Sequence, residues 1–327
     1  MKKIGVLGGG VWGSALAKLL SDNQVTIYAR DENTVKSIND LHYNPKLKYV
    51  IYNNNVKSTN NINNLRNVDY IFIALPSQNI REVVKQLKDF NKDQKIIIAS
   101  KGIEIDTKLF LHEVINSETN NKNICILSGP CFSNEVAQNL PTAVTLASED
   151  RELFEEVILL FKNKNFRLYY SKDILGCQIG GSIKNIYAIA AGISIGLNLG
   201  ENAKSALISR SFAEILRLAN FYDAKNETLF GLSGLGDLIL TCNSLKSRNT
   251  NFGKLIASHP KTSIVDHLKS QETTEGYFTV QAIYKIKEEN KIDMPIASSI
   301  YRILFEGSDI RVEINKLLDR PVVDEFY

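Results

Sequence analysis

Residues 3–20, KIGVLGGGVWGSALAKLL, join a short apolar run to a glycine-rich turn and then to a helical pattern. The run at residues 3–7 predicts a buried strand, and the alanines and leucines after the turn predict a helix. Between them, Gly8, Gly10 and Gly13 form a GxGxxG pattern. The first glycine permits a tight turn, the second lets a pyrophosphate approach the backbone, and the third lets helix and strand pack closely. A glycine-rich turn without a ligand is the alternative, but this context favours a dinucleotide site.

The residues after the second predicted strand indicate which dinucleotide binds. Residues 24–29, QVTIYA, predict that strand; Arg30 and Asp31 follow it, about twenty residues beyond the glycine turn, where the ribose is recognised. An acid there favours NAD, whereas an arginine accommodates the 2′-phosphate of NADP. We interpret Arg30 as the ribose-reading residue and Asp31 as the first acid of a helix. We therefore expect NADP(H) as the cofactor, with NAD(H) as the alternative.

Strand and helix patterns alternate as far as residue 171. Alternation of this kind indicates a mostly parallel sheet, in which ligands bind at the carboxyl ends of the strands. Lys101 and Gly129 each follow a predicted strand, so both are candidates for the site; a solvated loop lysine is the alternative for Lys101. Residues 42–64 are predicted to be loop with one or two weak strands. The further predicted strands are residues 68–75, 95–100, 123–128, 142–147 and 166–170.

Helical periods replace strands after residue 171, and the length of 327 residues agrees with two domains. We predict an α/β fold in which an N-terminal Rossmann-type, mostly parallel sheet is followed by an all-α C-terminal domain. Residues 1–172 would bind NAD(P), and residues 173–327 would bind the substrate and supply catalytic groups. Because cofactor sites are common at domain interfaces, we expect the active site in the cleft between the two.

The segment 174–200, ILGCQIGGSIKNIYAIAAGISIGLNLG, holds a single charged residue, Lys184. A buried ammonium group is costly unless it is paired, and its readily shifted pKa suits proton transfer. One alternative is a lysine that reaches solvent from a core helix. Another is a membrane span, which the recurring polar residues and the lack of a second span disfavour. The many glycines indicate that another backbone or a ligand packs very close to this helix.

Two later stretches carry further polar candidates. In residues 231–241, GLSGLGDLILT, Asp237 and Thr241 are four positions apart, so a helix places both on one face. The tripeptide Ser-Arg-Asn at 247–249 holds three hydrogen-bonding side chains, and an arginine can grip a phosphate through two parallel bonds. A polar turn is the alternative for this tripeptide, and a simple first-turn acid is the alternative for Glu275.

Composition disfavours several classes of function. The formal net charge is only +3, and no run of Lys and Arg with interleaved aromatic residues indicates nucleic-acid binding. The four cysteines form no CxxC pair and the four histidines form no HExxH motif, so we expect no metal site. We also expect no signal peptide and no integral membrane segment. Free thiols fit a reducing cytoplasm.

Together these motifs resemble the NAD(P)-dependent glycerol-3-phosphate dehydrogenases of the bacterial type, over nearly the whole chain. The resemblance implies reversible hydride transfer between NAD(P)H and dihydroxyacetone phosphate, giving sn-glycerol 3-phosphate for phospholipid synthesis; we also expect a cytoplasmic homodimer. The matching residues are Gly8-x-Gly10-x-Trp12-Gly13-x-Ala15-Leu16-Ala17, Ser100-Lys101-Gly102, Ser128-Gly129-Pro130, Gly180-Gly181-x-x-Lys184-Asn185, Ala190-Ala191-Gly192, Gly231-Leu232-x-Gly234-Leu235-Gly236-Asp237-Leu238, Leu240-Thr241-Cys242 and Ser247-Arg248-Asn249.

The resemblance also implies roles for individual residues. Lys184 matches the general acid/base of the family, and Lys101 and Asp237 complete the predicted catalytic group. The implied cofactor contacts are Gly8, Gly10, Val11, Trp12, Gly13, Arg30, Lys101, Ser133, Arg248, Thr273 and Glu275. The implied substrate contacts are Lys101, Gly129, Cys131, Lys184, Asp237, Thr241, Ser247, Arg248 and Asn249. The chain departs from the family at Cys131, where serine is usual, at Ser133, where alanine is usual, and at Thr273, where a small apolar residue is usual.

Two other functions suit the same two-domain build. A ketopantoate or hydroxy-acid reductase would also use a helix lysine, but it would need a carboxylate clamp instead of the phosphate-binding tripeptide at 247–249. A catalytically inactive NADP-binding sensor would lack the buried lysine or its partner, whereas Lys184 and Asp237 are both present. The sequence therefore favours the dehydrogenase.

Overall fold

The computed structural model describes residues 1–90, 92–260, 262–269, 273–322 and 324. The first half of the chain forms an eight-stranded sheet in the order β3-β2-β1-β4-β5-β6-β7-β8. Neighbouring strands are parallel except β6 and β7, which are antiparallel. The predicted mostly parallel sheet is confirmed. The strands are β1 (Lys3–Leu7), β2 (Gln24–Tyr28), β3 (Val56–Thr59), β4 (Tyr70–Ile73), β5 (Lys95–Ile98), β6 (Ile124–Ser128), β7 (Thr142–Ala147) and β8 (Phe166–Ser171).

The order of the strands indicates where a dinucleotide would bind. The chain runs outward from β1 to β2 and β3, then returns to the other side of β1 for β4. Ligands of open α/β sheets bind at such a reversal, beside the carboxyl ends of the strands. The glycine turn follows β1 at this point. Both faces of β4 are covered, since its residues alternate between two separate apolar clusters and all four are buried.

Helices follow the strands in the first half and fill the second half. Those of the first half are α1 (Val11–Leu19), α2 (Glu32–Leu41), α3 (Ile80–Val84), α4 (Leu111–Thr119), α5 (Ser133–Ala137) and α6 (Arg151–Ile158). Those of the second half are α7 (Ile174–Gly196), α8 (Glu201–Phe221), α9 (Asn226–Phe230), α10 (Asp237–Cys242), α11 (Arg248–Ser258), α12 (Ile264–Lys269), α13 (Glu275–Asn290), α14 (Pro295–Phe305) and α15 (Ile310–Leu318). Short 3₁₀ turns lie at Pro45–Leu47, Ile62–Leu65, Ser77–Asn79 and Lys85–Leu87, and a π-helical turn at Leu232–Gly236 precedes α10.

Helix α7 is the centre of the helical half, and its glycines let other backbones touch it. A Cβ on Gly192 would overlap the carbonyl oxygen of Thr250 in α11, and one on Gly180 would lie 2.5 Å from that of Ser233. The close contact between the two helices is reciprocal, because a Cβ on Gly253 of α11 would overlap a carbonyl oxygen of α7. Close backbone packing, rather than a ligand, therefore explains these three glycines. In the described part of the chain, no helix combines the length and apolarity that crossing a membrane requires.

Candidate active site

The glycine turn between β1 and α1 has the shape that a diphosphate needs. Gly8 has φ +127°, and a Cβ on it would overlap the carbonyl oxygen of Ala74. A Cβ on Gly13 would overlap the carbonyl oxygen of Gly8, so helix and turn are in direct contact. Around Gly10 there is instead open space, with no atom within 4 Å of where a Cβ would be. Helix α1 has no side-chain cap and no acid in its first turn, so its amides and dipole face that space. These residues fit a dinucleotide.

A buried asparagine supports the turn from outside. Asn44 is fully buried and donates from Nδ2 to the carbonyl oxygen of Gly9 at 3.1 Å and to Oγ of Ser14 at 2.7 Å. Its Oδ1 accepts from the backbone of Lys46, so the side chain is fixed at both ends. Asn44 lies in the stretch predicted as loop, where nothing in the local pattern marks its role.

Arg30 and Asp31, the two candidates for recognising the ribose, differ in their contacts. Asp31 caps α2, because its carboxylate accepts from the backbone N–H of Thr34 at 2.9 Å and from the hydroxyl of the same residue at 2.6 Å. The hydroxyl hydrogen bond is the larger cause that holds the pKa of Asp31 below its ordinary value. Arg30 is exposed beyond the end of β2. Both residues are exposed, but the carboxylate of Asp31 is engaged as the helix cap, whereas Arg30 lies outside the helix.

Three further predicted cofactor contacts surround the glycine turn. Val11 opens α1, and the indole N–H of Trp12 donates to the carbonyl oxygen of Ala99 at 3.0 Å, at the end of β5. Ser133 is the first residue of α5, and α5 packs against α1. Trp12 thus connects α1 to the end of β5, and α5, the helix that follows β6, lies against α1.

Two lysines from different halves of the molecule share one buried carboxylate. Lys184 lies in the middle of α7 and is only 7% exposed, so it does not reach out to solvent. Its Nζ donates to Oδ1 of Asp237 at 2.5 Å and to Oγ1 of Thr241 at 2.8 Å. Lys101, from the loop after β5, donates to Oδ2 of Asp237 at 2.6 Å and to the carbonyl oxygen of Gly129 at 3.0 Å. The three charged groups carry one net positive charge.

Although the two lysines share one carboxylate, their ammonium groups have pKa values shifted in opposite directions. Burial is the largest influence on each and disfavours the charged form. For Lys101, the attraction to Asp237 and the hydrogen bond to the same carboxylate outweigh burial, so the pKa of its ammonium group is raised. For Lys184, burial together with repulsion from Lys101 outweighs the attraction, so its pKa is lowered. The two ammonium groups around Asp237 therefore differ in acidity, and Lys184 is the one that gives up its proton more readily.

Cys131 sits beside the lysines at the end of β6. Its thiol is half-buried and donates to the carbonyl oxygen of Gly129 at 3.3 Å, the oxygen that also accepts from Lys101. Burial raises the pKa of this thiol, so it is neutral. Gly129 has φ +147°, and a Cβ on it would press on Val144 of β7. Within the described residues, no three Cys, His, Asp or Glu side chains cluster as metal ligands do.

The three residues Ser247, Arg248 and Asn249 have different positions and contacts at the start of α11. Ser247 caps the helix through its Oγ, which accepts from the N–H of Thr250 at 3.2 Å. Asn249 is buried; its Nδ2 donates to Oδ1 of Asn185 at 2.9 Å, and its Oδ1 accepts from the backbone of Gly276. Arg248 is exposed at the first position of the helix. Ser247 and Asn249 therefore fix the helix end, and the guanidinium is presented from it.

Glu275 joins the two halves of the molecule. It opens α13, and its carboxylate accepts from the N–H of Ser77 at 3.0 Å and from the hydroxyl of Ser77 at 2.6 Å. Burial raises the pKa of Glu275, and these hydrogen bonds and the charge of Arg248 oppose that rise. Glu275 is thus more than a first-turn acid. Thr273, two residues earlier, is half-buried.

The structure also shows polar residues that the sequence analysis missed. Ser77 binds Glu275, Ser182 binds Gly102, and Asn185 binds Asn249. Each of these contacts joins segments more than 60 positions apart. Two signals were available: Ser77 follows a predicted strand, and Asn185 belongs to a motif shared with the family, but neither signal gave these residues a role.

Comparison with known proteins agrees with this arrangement. Two family models match, described as the N-terminus of NAD-dependent glycerol-3-phosphate dehydrogenase over residues 3–154 and its C-terminus over residues 173–315. A relative from Zymomonas mobilis, named glycerol-3-phosphate dehydrogenase (NAD(P)+), is 38% identical, covering 99% of this chain and 94% of its own. One from Erythrobacter litoralis with the same name is 41% identical, covering 98% and 97%.

A solved structure extends the comparison to three dimensions. The crystal structure of glycerol-3-phosphate dehydrogenase from Coxiella burnetii is 33% identical and superposes with a TM-score of 0.92, covering 98% of this chain and 99% of its own. Sequence and fold thus agree over both halves of the molecule. The chain belongs to the NAD-dependent glycerol-3-phosphate dehydrogenase family.

Proposed function

We propose that this protein catalyses the reaction of its family, the reversible reduction of dihydroxyacetone phosphate to sn-glycerol 3-phosphate, with Lys184 as general acid/base. The observation that carries the proposal is the buried ammonium group of Lys184, held by Asp237 and Thr241 at the junction of the two halves. When bound, NAD(P)H would supply the hydride. The protein supplies the proton and the site in which both are delivered.

Lys184 handles the proton in both directions. During reduction, the carbonyl oxygen of the ketone gains negative charge, and the ammonium group of Lys184 stabilises that charge and then donates a proton to the oxygen. During oxidation, neutral Lys184 takes the proton of the alcohol. Its lowered pKa suits both roles. Asp237 and Thr241 hold Nζ so that its remaining N–H is directed to the substrate, and Lys101 adds a second positive charge nearby.

Arg248 is the proposed clamp for the phosphate of the substrate. Its position at the start of α11 combines the guanidinium with the positive end of the helix dipole. Gly129, Cys131, Ser247 and Asn249 belong to the proposed substrate site as well. Ser247 and Asn249 fix the end of the helix that carries Arg248.

For the cofactor we propose NADP(H), with NAD(H) as a second substrate, and Arg30 as the group that binds the 2′-phosphate. The support is that Asp31 is occupied as a helix cap while Arg30 is exposed at the same strand end. The turn at Gly8, Gly10 and Gly13 would hold the diphosphate, with Val11, Trp12 and Ser133 beside it. Thr273 and Glu275 would contact the cofactor from the helical half.

We also propose a two-domain organisation for the protein. The division into a cofactor domain of residues 1–172 and a catalytic domain of residues 173–327 is supported by the end of β8 at Ser171 and the start of α7 at Ile174. We further propose a homodimer in the cytoplasm that supplies phospholipid synthesis. Four free cysteines fit a reducing compartment. Exposed apolar side chains such as Phe230, 58% exposed, are available for a subunit interface.

The direct test is an absorbance assay of nicotinamide oxidation with dihydroxyacetone phosphate, run in parallel with NADPH and NADH. The proposal predicts turnover that needs the phosphorylated ketone and is faster with NADPH. Cofactor binding without turnover on any ketone would favour the sensor instead. Turnover on ketopantoate but not on the sugar phosphate would point to the other reductase.

A further inference from the structure

A reciprocal pair of hydrogen bonds connects the helix of one lysine to the loop of the other. Ser182 lies on α7, two positions before Lys184, and is 2% exposed. Its Oγ accepts from the backbone N–H of Gly102 at 3.0 Å and donates to the carbonyl oxygen of the same residue at 3.1 Å. One side chain therefore satisfies both backbone groups of a single residue across the junction of the two halves.

The residue that Ser182 holds is next to Lys101 and has little freedom. Gly102 has φ +157°, and a Cβ on it would lie 2.5 Å from Cβ and Oγ of Ser77 and 3.0 Å from Oε2 of Glu275. The loop after β5 thus passes through a space that only a glycine fits. Because Gly102 is held on both sides, the backbone that carries Lys101 has a defined position relative to α7.

That position matters because the two lysines compete for one carboxylate. Lys184 takes Oδ1 and Lys101 takes Oδ2 of Asp237. Among the described residues, the other titratable groups that act on Lys184 are the thiols of Cys131 and Cys242. Repulsion from Lys101 keeps the proton on Lys184 more acidic, and this repulsion depends on the distance between the two ammonium groups.

We propose that Ser182 is a positioning residue, whose hydroxyl fixes Gly102 and thereby holds Lys101 against the carboxylate that it shares with Lys184. This inference rests on the proposed acid/base role of Lys184 and extends it to a residue that does not touch the reacting atoms. Without the hydroxyl, the loop after β5 is released from α7. Lys101 then moves away from Asp237, and Lys184 retains the carboxylate with less repulsion.

The test replaces Ser182 by alanine and uses Ser194→Ala as the matched control. Ser194 lies on the same helix and is 5% exposed, and its Oγ has no partner among the described residues, so its removal breaks no described hydrogen bond. We expect S182A to lower kcat about tenfold, since small displacements of a catalytic group cost one to two orders of magnitude. We also expect the pH of half-maximal kcat to rise by about 0.5–1 unit in S182A, and S194A to match the wild type.

Two further measurements separate positioning from a general loss of structure. NMR of protein labelled at the lysine ε carbons, assigned with Lys184→Arg, follows the titration of Lys184 without substrate or cofactor and should show the same upward shift in S182A. Ser182→Thr, which keeps the hydroxyl, should restore the wild-type pH midpoint. Loss of stability alone would lower the amount of active enzyme without moving the midpoint.

Several results would overturn the inference. If the pH midpoint of S182A equalled that of S194A and the two kcat values agreed within twofold, the hydroxyl would not control the lysine pair. If S182A failed to fold while S194A folded, the hydroxyl would be an element of stability and the inference would be wrong. If Lys184→Ala abolished turnover while S182A behaved as wild type, the inference alone would fail. If Lys184→Ala kept turnover, the acid/base role itself would fail.

Discussion

Nζ of Lys184 and Oδ1 of Asp237 lie 2.5 Å apart in a buried ion pair, with 9% and 1% of their side chains exposed. A buried pair of this kind strongly destabilises a protein when one partner is removed, because the other charge is left without compensation. Here the carboxylate compensates two ammonium groups, so the arrangement depends on Asp237 more than on either lysine.

Asp237→Asn tests this dependence. The amide keeps the shape but not the charge, so the pKa of Lys184 should fall further, and the decline of the reduction rate with rising pH should begin at lower pH. We also expect the free energy of unfolding at neutral pH to fall by about 3 kcal/mol. The measurements are the pH profile of kcat and urea unfolding.

Asp293→Asn is the matched control, because Asp293 forms an exposed ion pair with Arg320 at 2.9 Å. Exposed pairs contribute little, so this variant should change unfolding by less than about 1 kcal/mol and leave the pH profile in place. An unaltered profile in D237N as well would show that the carboxylate does not set the acidity of Lys184.

Arg248→Ala tests the phosphate clamp. Loss of the guanidinium should raise KM for dihydroxyacetone phosphate about a hundredfold, since charge-assisted hydrogen bonds to a phosphate contribute about 2–3 kcal/mol. The slow reaction with unphosphorylated dihydroxyacetone should change much less. Lys246→Ala is the control: Lys246 is a nearby exposed cation that pairs with Glu135 at 2.8 Å. Equal losses for both ketones would exclude Arg248 as the clamp.

Arg30→Ala tests the choice of cofactor. Without the guanidinium, the ratio of kcat/KM for NADPH to that for NADH should fall by about 10–100-fold, chiefly through KM for NADPH. Lys36→Ala, which removes an exposed cation from the adjoining α2, should leave the ratio near the wild-type value. A ratio that R30A does not move would place the reading of the 2′-phosphate at another residue.

The sequence predicted the fold well, because its signals are local. The strand–glycine–helix pattern at residues 3–20 needs only neighbouring residues to be recognised, and the alternation of strands and helices follows from short apolar periods. Strand β3, at Val56–Thr59, could be anticipated only vaguely, since its polar sequence VKST has little apolar pattern. The antiparallel pairing of β6 and β7 depends on how the chain returns to the sheet, which no local pattern records.

The site was less predictable because its geometry comes from contacts distant in sequence. The glycines of α7 left open whether a ligand or a backbone approaches; the answer at Gly192 is Thr250, 58 positions along the chain. The spacing of Asp237 and Thr241 predicted one helical face, and both do reach Lys184. Nothing in the sequence indicated that Lys101 would share the same carboxylate.

Glu214 gives the helical half a pH-dependent stability. This carboxyl group is fully buried and accepts from the backbone of Ile296 at 2.6 Å and of Ala297 at 3.1 Å, and from the hydroxyl of Tyr187 at 3.1 Å. Burial raises its pKa from 4.5 to about 7 despite these hydrogen bonds. The folded protein therefore binds a proton that the unfolded chain releases between these values, so stability is lost as the pH rises towards 7.

Glu214→Gln, which stays neutral, should remove this dependence. Between pH 8 and pH 4, the wild type should gain about 3 kcal/mol of unfolding free energy relative to E214Q. Urea unfolding at several pH values measures the difference. Glu227→Gln, at an exposed position, should follow the wild type at every pH. A constant difference between wild type and E214Q would mean that Glu214 has the same pKa in the folded and unfolded states.

Turnover of Lys184→Ala with dihydroxyacetone phosphate and saturating NADPH tests the central claim most directly, with cofactor binding measured separately to show that the site is intact. Loss of the general acid should lower kcat by about 10²–10⁴-fold while NADPH still binds. Turnover within a few fold of the wild type, with the cofactor bound, would contradict the assignment of Lys184 as the proton donor.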